Sequence, residues 1–225
     1  MNAEWLLNGL IQYVVLIFSM TIHEAAHALW AMRNGDLTAY LGGQVSLDPL
    51  PHIRREPIGM VAIPLLTYAL NGWMMGWASA PLSMHWILRH PRKAAAVSLA
   101  GPLANLAVAV TVAVLIRVLI GAGVLSPSSL YGFGGSGVEL GLGYVLWSFV
   151  FLNVVLFVFN MLPIPPLDGS SALGLFLSED TAYRLQTTIR QPMVAMMGFV
   201  FFFLFAGKLA MPFIAALLAL LRVGM

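Results

Sequence analysis

Thr21-Ile22-His23-Glu24-Ala25-Ala26-His27-Ala28 lies inside an apolar run, Leu10 to Met32, whose single charged residue is Glu24. His23 and His27 are four apart, so on a helix they stand one above the other on the same face. That spacing lets two imidazoles grip one zinc ion and leaves Glu24, beside the first of them, to take a proton from water. The surroundings decide the fold as well as the motif. A run of this length and apolarity spans a bilayer, and ionisable groups inside a span are costly and functional by default. The competing reading, histidines bonded only to neighbouring helices, leaves Glu24 without a partner.

Composition extends this to the whole chain. Of 225 residues, 60% are apolar and 9% charged, where a soluble domain carries about 25% charged. The chain reads as a polytopic membrane protein without room for a sizeable soluble domain. It has no cysteine, so disulfides are excluded and any metal must be held by His, Asp, Glu or water. The net charge is +2, and the basic residues cluster beside apolar spans. That pattern reports membrane orientation, not nucleic-acid binding. No basic region or small-residue cleavage site accompanies the first apolar stretch, which therefore reads as a retained span and not a signal peptide.

Along the chain, the first span runs from about Trp5 to Trp30, roughly 39 Å of helix, and Asn34-Gly35 ends it. Leu37-Thr-Ala-Tyr-Leu41, Gly42-Gly43 and Gln44-Val-Ser-Leu47 predict a short β-hairpin with an unpaired strand edge; a plain interfacial loop is the alternative. Ile58 to Ala80 is long enough to cross but holds Pro64, Asn71-Gly72 and Gly76. Basic residues flank it on both sides, Arg54 and Arg55 before, Arg89, Arg92 and Lys93 after. A full crossing would put one cluster outside, so a re-entrant pair of half-helices turning near Asn71-Gly72 is expected. Ala94 to Ile120 is the next span. Gly121 to Gly143 has no Lys or Arg and should face away from the cytoplasm. Tyr144 to Leu162 crosses back into Pro163-Ile-Pro-Pro-Leu-Asp168-Gly169, where prolines stop the helix and leave extended chain at membrane depth. Ser178-Glu179-Asp180 caps a short surface helix. Met193 to Leu221 is one kinked helix, or a span plus an interfacial tail. The expected fold is thus all-α and polytopic: about four full transmembrane helices, a re-entrant half-helix pair and a membrane-associated β-hairpin, forming one domain over residues 1–225.

A catalytic zinc site takes three protein ligands and keeps a position for water. Candidates for the third ligand are Asp168, His52, His85, His90 and Glu139. Asp168 stands out because a rigid Pro-rich turn fixes a carboxylate better than a surface loop does. The three histidines lie in basic loops expected to be solvated, and Glu139 belongs to the far-side loop. With 58–80 re-entrant, an even number of crossings separates His27 from Asp168, as a shared site requires. Zinc with ionised Asp168 and Glu24 is also neutral overall, the condition for burying two carboxylates at low cost. Asn105 either orients a ligand or substrate, or bonds between helices beside a close contact at Gly101.

His23-Glu24-Ala25-Ala26-His27 in the first span, Gly101-Pro102-Leu103-Ala104-Asn105 in a later one, and Asn160-Met-Leu-Pro163-Ile-Pro165-Pro166-Leu-Asp168-Gly169 together resemble the site-2 protease family of intramembrane zinc metalloproteases. Ser46-Leu-Asp48-Pro49-Leu-Pro-His52-Ile and Gly76-Trp77-Ala78-Ser-Ala-Pro81 are similar to stretches of its compact prokaryotic members. The resemblance covers most of residues 10 to 170, and no stretch fits a PDZ or CBS domain. It implies one zinc ion per chain on His23, His27 and Asp168, with Glu24 as catalytic base and Asn160 holding substrate backbone. It implies transmembrane protein substrates and an integral protein of a prokaryotic inner membrane, its site toward the cytoplasmic leaflet. Asp48 and Arg54 depart from residues common among relatives and are assigned no role. Two readings from other classes are an ion or proton transporter using the buried His/Glu/Asp cluster, and an inactive scaffold for membrane segments. A transporter predicts internal repeats, which are not seen, and a scaffold has no need of Glu24.

Overall fold

The structure, a computed structural model, describes residues 3–131 and 136–221, apart from the side chains at positions 203 and 206; the Gly- and Ser-rich stretch 121–143 lies partly outside them. The apolar run around the histidine pair is one helix, α1 (Ala3–Arg33), closed by Gly35 at φ 98°. α6 (Pro91–Gly121) and α7 (Gly137–Asn160) are the other two straight helices long and apolar enough to cross a membrane. The last helix, α10 (Pro192–Leu221), makes a fourth if its two halves, bent by 65° between Phe202 and Gly207, count as one span. α6 is the centre of the bundle, packed against α1, α7 and the short elements that follow. Its small residues allow the close approach. Ala109, Ala113 and Ile116 meet Val150 and Val154 of α7 and Ile214 of α10 in one buried cluster.

Between α1 and α6 the chain runs along the bundle and back: Tyr68 Oη donates to Trp5 O near the start of α1, and Ser83 N donates to Asp36 just past its end. α2 (Thr38–Leu41) and α3 (Pro49–Arg55) are short, the latter capped by Asp48, whose carboxylate accepts from Leu50 N. A π-helical turn at 58–62 leads into α4 (Ile63–Asn71). Those 14 residues make about 21 Å of helix, short of a bilayer core of about 30 Å. Gly72, left-handed at φ 74°, turns the chain back. Residues 73–83 then return extended, and Trp77 N donates to Gly59 O at 3.2 Å while Arg55 Nε donates to Ser79 O at 2.9 Å. The segment therefore doubles back on itself. Its return leg is extended chain where a second half-helix was expected. A helix there would hold its backbone away from Gly59, where Trp77 O now comes so close that a Cβ on Gly59 would overlap it. Ser83 then caps α5 (Met84–Arg89).

The hairpin expected at 37–47 is not formed, and no strand occurs among the described residues. Asp36 explains the difference: its Oδ1 accepts from Thr38 N at 3.0 Å and from Thr38 Oγ1, which starts a helical turn. Gly42-Gly43 then acts as a helix C-terminus, with Gly43 at φ 73° and Gln44 N donating to Ala39 O at 2.9 Å. Two glycines after a polar cap serve a helix stop as readily as a hairpin turn.

After α7, a Pro-rich turn containing a cis Pro165–Pro166 peptide leads to α8 (Asp168–Ala172). α9 (Glu179–Ile189) follows with Ser178 as its N-cap, as the sequence reading has it.

Candidate metal centre

α1 brings His23 and His27 together by helical spacing alone. Their rings meet edge-on at 4.7 Å between centroids, and their Nε2 atoms are 3.0 Å apart. Asp168, first residue of α8, is delivered from the far end of the chain by the proline turn. Its Oδ2 lies 3.1 Å from His23 Nε2 and 3.2 Å from His27 Nε2. Among the described residues these three form the one group of three or more His, Cys, Asp or Glu able to hold a metal ion.

What the outer nitrogens do decides the chemistry. His27 Nδ1 is 2.7 Å from Val97 O, and His23 Nδ1 is 2.5 Å from Asn105 Oδ1. Both partners are oxygens that only accept, so each Nδ1 carries a hydrogen and each Nε2 faces inward, offering a lone pair when the ring is neutral. The Asn105 oxygen is assigned by its own bonds, since its amide nitrogen donates to Ser19 O at 3.2 Å and to Asn153 Oδ1 at 2.8 Å. With both rings neutral, three lone-pair-bearing atoms converge on one point. A cation resolves that conflict. The edges of 3.0, 3.1 and 3.2 Å suit zinc, because two bonds of about 2.0–2.1 Å at a tetrahedral angle end roughly 3.3 Å apart. Residues of this kind at this spacing fit the metal.

Gly101 of α6 lets that helix pack directly against the pair. A Cβ there would stand 2.5 Å from His23 Nε2 and also overlap His27 Nε2. Glu24 is buried beside the first histidine, at 6% exposure, and three residues from the second. Asn160, last residue of α7, is half-buried and donates from Nδ2 to Leu156 O at 3.0 Å. On the other side of Asp168, Ser171 of α8 bonds Gln186 of α9, whose Nε2 donates to Ser171 Oγ at 2.8 Å. Arg190 continues this contact by donating to Gln186 Oε1 at 3.3 Å. Burial lowers the pKa of that guanidinium, and the field of Asp168 opposes the shift.

The remaining ligand candidates lie elsewhere. His52 is buried at 1% exposure, not solvated, and its Nε2 is 3.0 Å from Ser46 O. His85 is exposed on α5, and His90 packs its ring against Trp86. Glu139 accepts from Ser126 at the opposite end of α7 from Asn160. Three groups escaped the sequence reading: Ser19, Asn153 and the Val97 carbonyl. Ser19 and Asn153 left a usable sign, because each is a polar side chain within an apolar span and each is fully buried.

The Bacillus subtilis protein named "Putative zinc metalloprotease YwhC" is 36% identical over 158 residues, which cover 69% of this chain and 64% of that one. "Putative zinc metalloprotease Rip2" of Mycolicibacterium smegmatis is 33% identical over 169 residues, 73% of this chain and 56% of its own. The Mycobacterium tuberculosis protein of the same name is 33% identical over 170 residues, again 73% and 56%. The chain thus matches less than two thirds of the length of these relatives. No solved structure matches it. Residues 11–205 match the family model described as Peptidase family M50, the site-2 protease family, and the chain therefore belongs to that family.

Proposed function

We propose that the protein is an intramembrane zinc metallopeptidase that hydrolyses peptide bonds within or near transmembrane segments of other membrane proteins. The observation that carries this reading is the convergence of two imidazole Nε2 atoms and the Asp168 carboxylate beside a buried glutamate. His23, His27 and Asp168 would hold zinc, which when bound supplies a Lewis acid that polarises the scissile carbonyl and brings water to a pKa of about 7. Glu24 takes the proton as water attacks and returns it to the leaving nitrogen. Asn105 and Val97 O keep the imidazoles aimed, and Gly101 lets α6 pack directly against them.

A helical substrate closes its peptide groups on itself and must unwind before attack. Asn160 is positioned at the end of α7 to bind an unwound backbone. The extended leg 73–83 takes the place of the missing hairpin as a surface along which such a segment can lie. Basic residues flank the site end of the bundle, with Arg33 closing α1 and Arg92 and Lys93 opening α6. By the positive-inside rule that end faces the cytoplasm of a prokaryotic inner membrane.

The test is cleavage of a reconstituted membrane substrate followed by peptide mapping. Glu24→Gln should retain zinc and lose cleavage by a factor of about 10² or more. Cleavage by Glu24→Gln at the wild-type rate removes the peptidase reading.

A further inference from the structure

We propose that Asn153, two hydrogen bonds away from His23, is a positioning residue for the metal centre. Through Asn105 it fixes which nitrogen of His23 carries the proton. The inference rests on His23 being a zinc ligand, and goes beyond that by giving a role to a residue that touches neither metal nor substrate.

The argument follows the hydrogens. Asn153 lies on α7 with no exposed surface. Its Nδ2 donates to Phe149 O at 2.9 Å and to Ser19 Oγ at 2.8 Å. Both of its hydrogens are then used, so its Oδ1 must be the atom that accepts from Asn105 Nδ2 at 2.8 Å. Asn105 spends its second hydrogen on Ser19 O, and its Oδ1 is left facing His23 Nδ1. The chain begins at a main-chain carbonyl of α7, which cannot donate and cannot flip. Each amide therefore points one way, and the last link requires a hydrogen on His23 Nδ1, which leaves Nε2 as the nitrogen of the neutral ring that offers a lone pair. Turning either amide over would set oxygen against oxygen in a fully buried place, at the cost of an unmade hydrogen bond. Asn153 also ties three helices at one level, since Ser19 belongs to α1 and Asn105 to α6. His27 has no such relay; one bond from its Nδ1 to Val97 O sets it directly.

The experiment measures zinc dissociation constants by chelator competition on the full chain in detergent, with the melting temperature of the zinc-free form recorded for each variant. Loss of a direct partner of a metal-ligating histidine costs ten- to a hundred-fold in affinity. Asn105→Leu should fall in that range, and Asn153→Leu should weaken binding by about ten-fold. In the Asn105→Leu background the Asn153→Leu change should cost less than about two-fold, because its route to His23 is already cut. Asn153→Asp keeps an acceptor for the Asn105 amide. It should hold zinc within about three-fold of wild type even where its melting temperature falls, which a merely structural role would not allow. The inference is overturned by wild-type affinity in Asn153→Leu, by losses that add in the double variant, or by a ten-fold loss in Asn153→Asp. The aspartate variant decides alone where the leucine variant does not fold. Failure of the wild-type protein itself to bind zinc sinks the metal reading together with this one.

Discussion

Gly101→Ala puts a single methyl where the centre has no room for one. The added Cβ would lie 2.5 Å from His23 Nε2 and 2.6 Å from His23 Cδ2, and it would overlap His27 Nε2. Ordinary contact needs about 3.5 Å or more, so both rings must retreat by roughly 1 Å. Neither has slack: His23 is held by Asn105, His27 by Val97 O, and both share the backbone of one buried helix. A metal site tolerates errors of about 0.2 Å in its bond lengths. We expect zinc affinity to drop by at least a hundred-fold, about 2.7 kcal/mol, with a further overpacking cost of about 1–3 kcal/mol to the fold itself. Gly141→Ala is the control, because a Cβ there meets nothing within 4 Å; it should leave zinc binding unchanged. The assay is chelator competition for affinity and thermal unfolding of the zinc-free protein for stability. Zinc binding by Gly101→Ala within three-fold of wild type would refute the claim that the histidine pair leaves no room for a side chain at this position.

Other outcomes follow from the same geometry. Gln186→Leu breaks the buried bond between α9 and α8 and should cost about 1–3 kcal/mol of stability, seen as a lower melting temperature with and without zinc. Gly72→Ala forces a Cβ into the left-handed turn of the re-entrant segment, and should cost about 1 kcal/mol, read from the same unfolding curves. Zinc affinity should weaken as pH falls, since protons compete with the metal for the ligand nitrogens and carboxylate; chelator competition at several pH values checks it.

The spans were legible because a bilayer imposes one strong rule on length and apolarity, and α1, α6 and α7 obey it. The metal cluster was legible for a related reason. His23, Glu24 and His27 stand out where nothing else is polar, and the prolines before Asp168 mark the one later turn stiff enough to deliver a ligand. Residues 37–47 were misread because local pattern there is ambiguous, and the deciding bond comes from Asp36, just outside the window. The return leg 73–83 was misread because its conformation depends on how closely it approaches Gly59, a partner in space that no spacing reveals. Asn105 was noticed, yet its partner could not be named from sequence. Pairing across 82 residues with His23 emerges only when α6 lies against α1.

The central claim is that two imidazoles from α1 and one carboxylate from α8 share a divalent cation. Zinc content after equilibrium dialysis tests it directly in four proteins: wild type, His23→Ala, His27→Ala and Asp168→Ala. The account predicts about one zinc per chain in the first and loss of tight binding in each of the other three, since a catalytic site has three protein ligands and none to spare. Equal zinc content in all four, or none in the wild type, contradicts it.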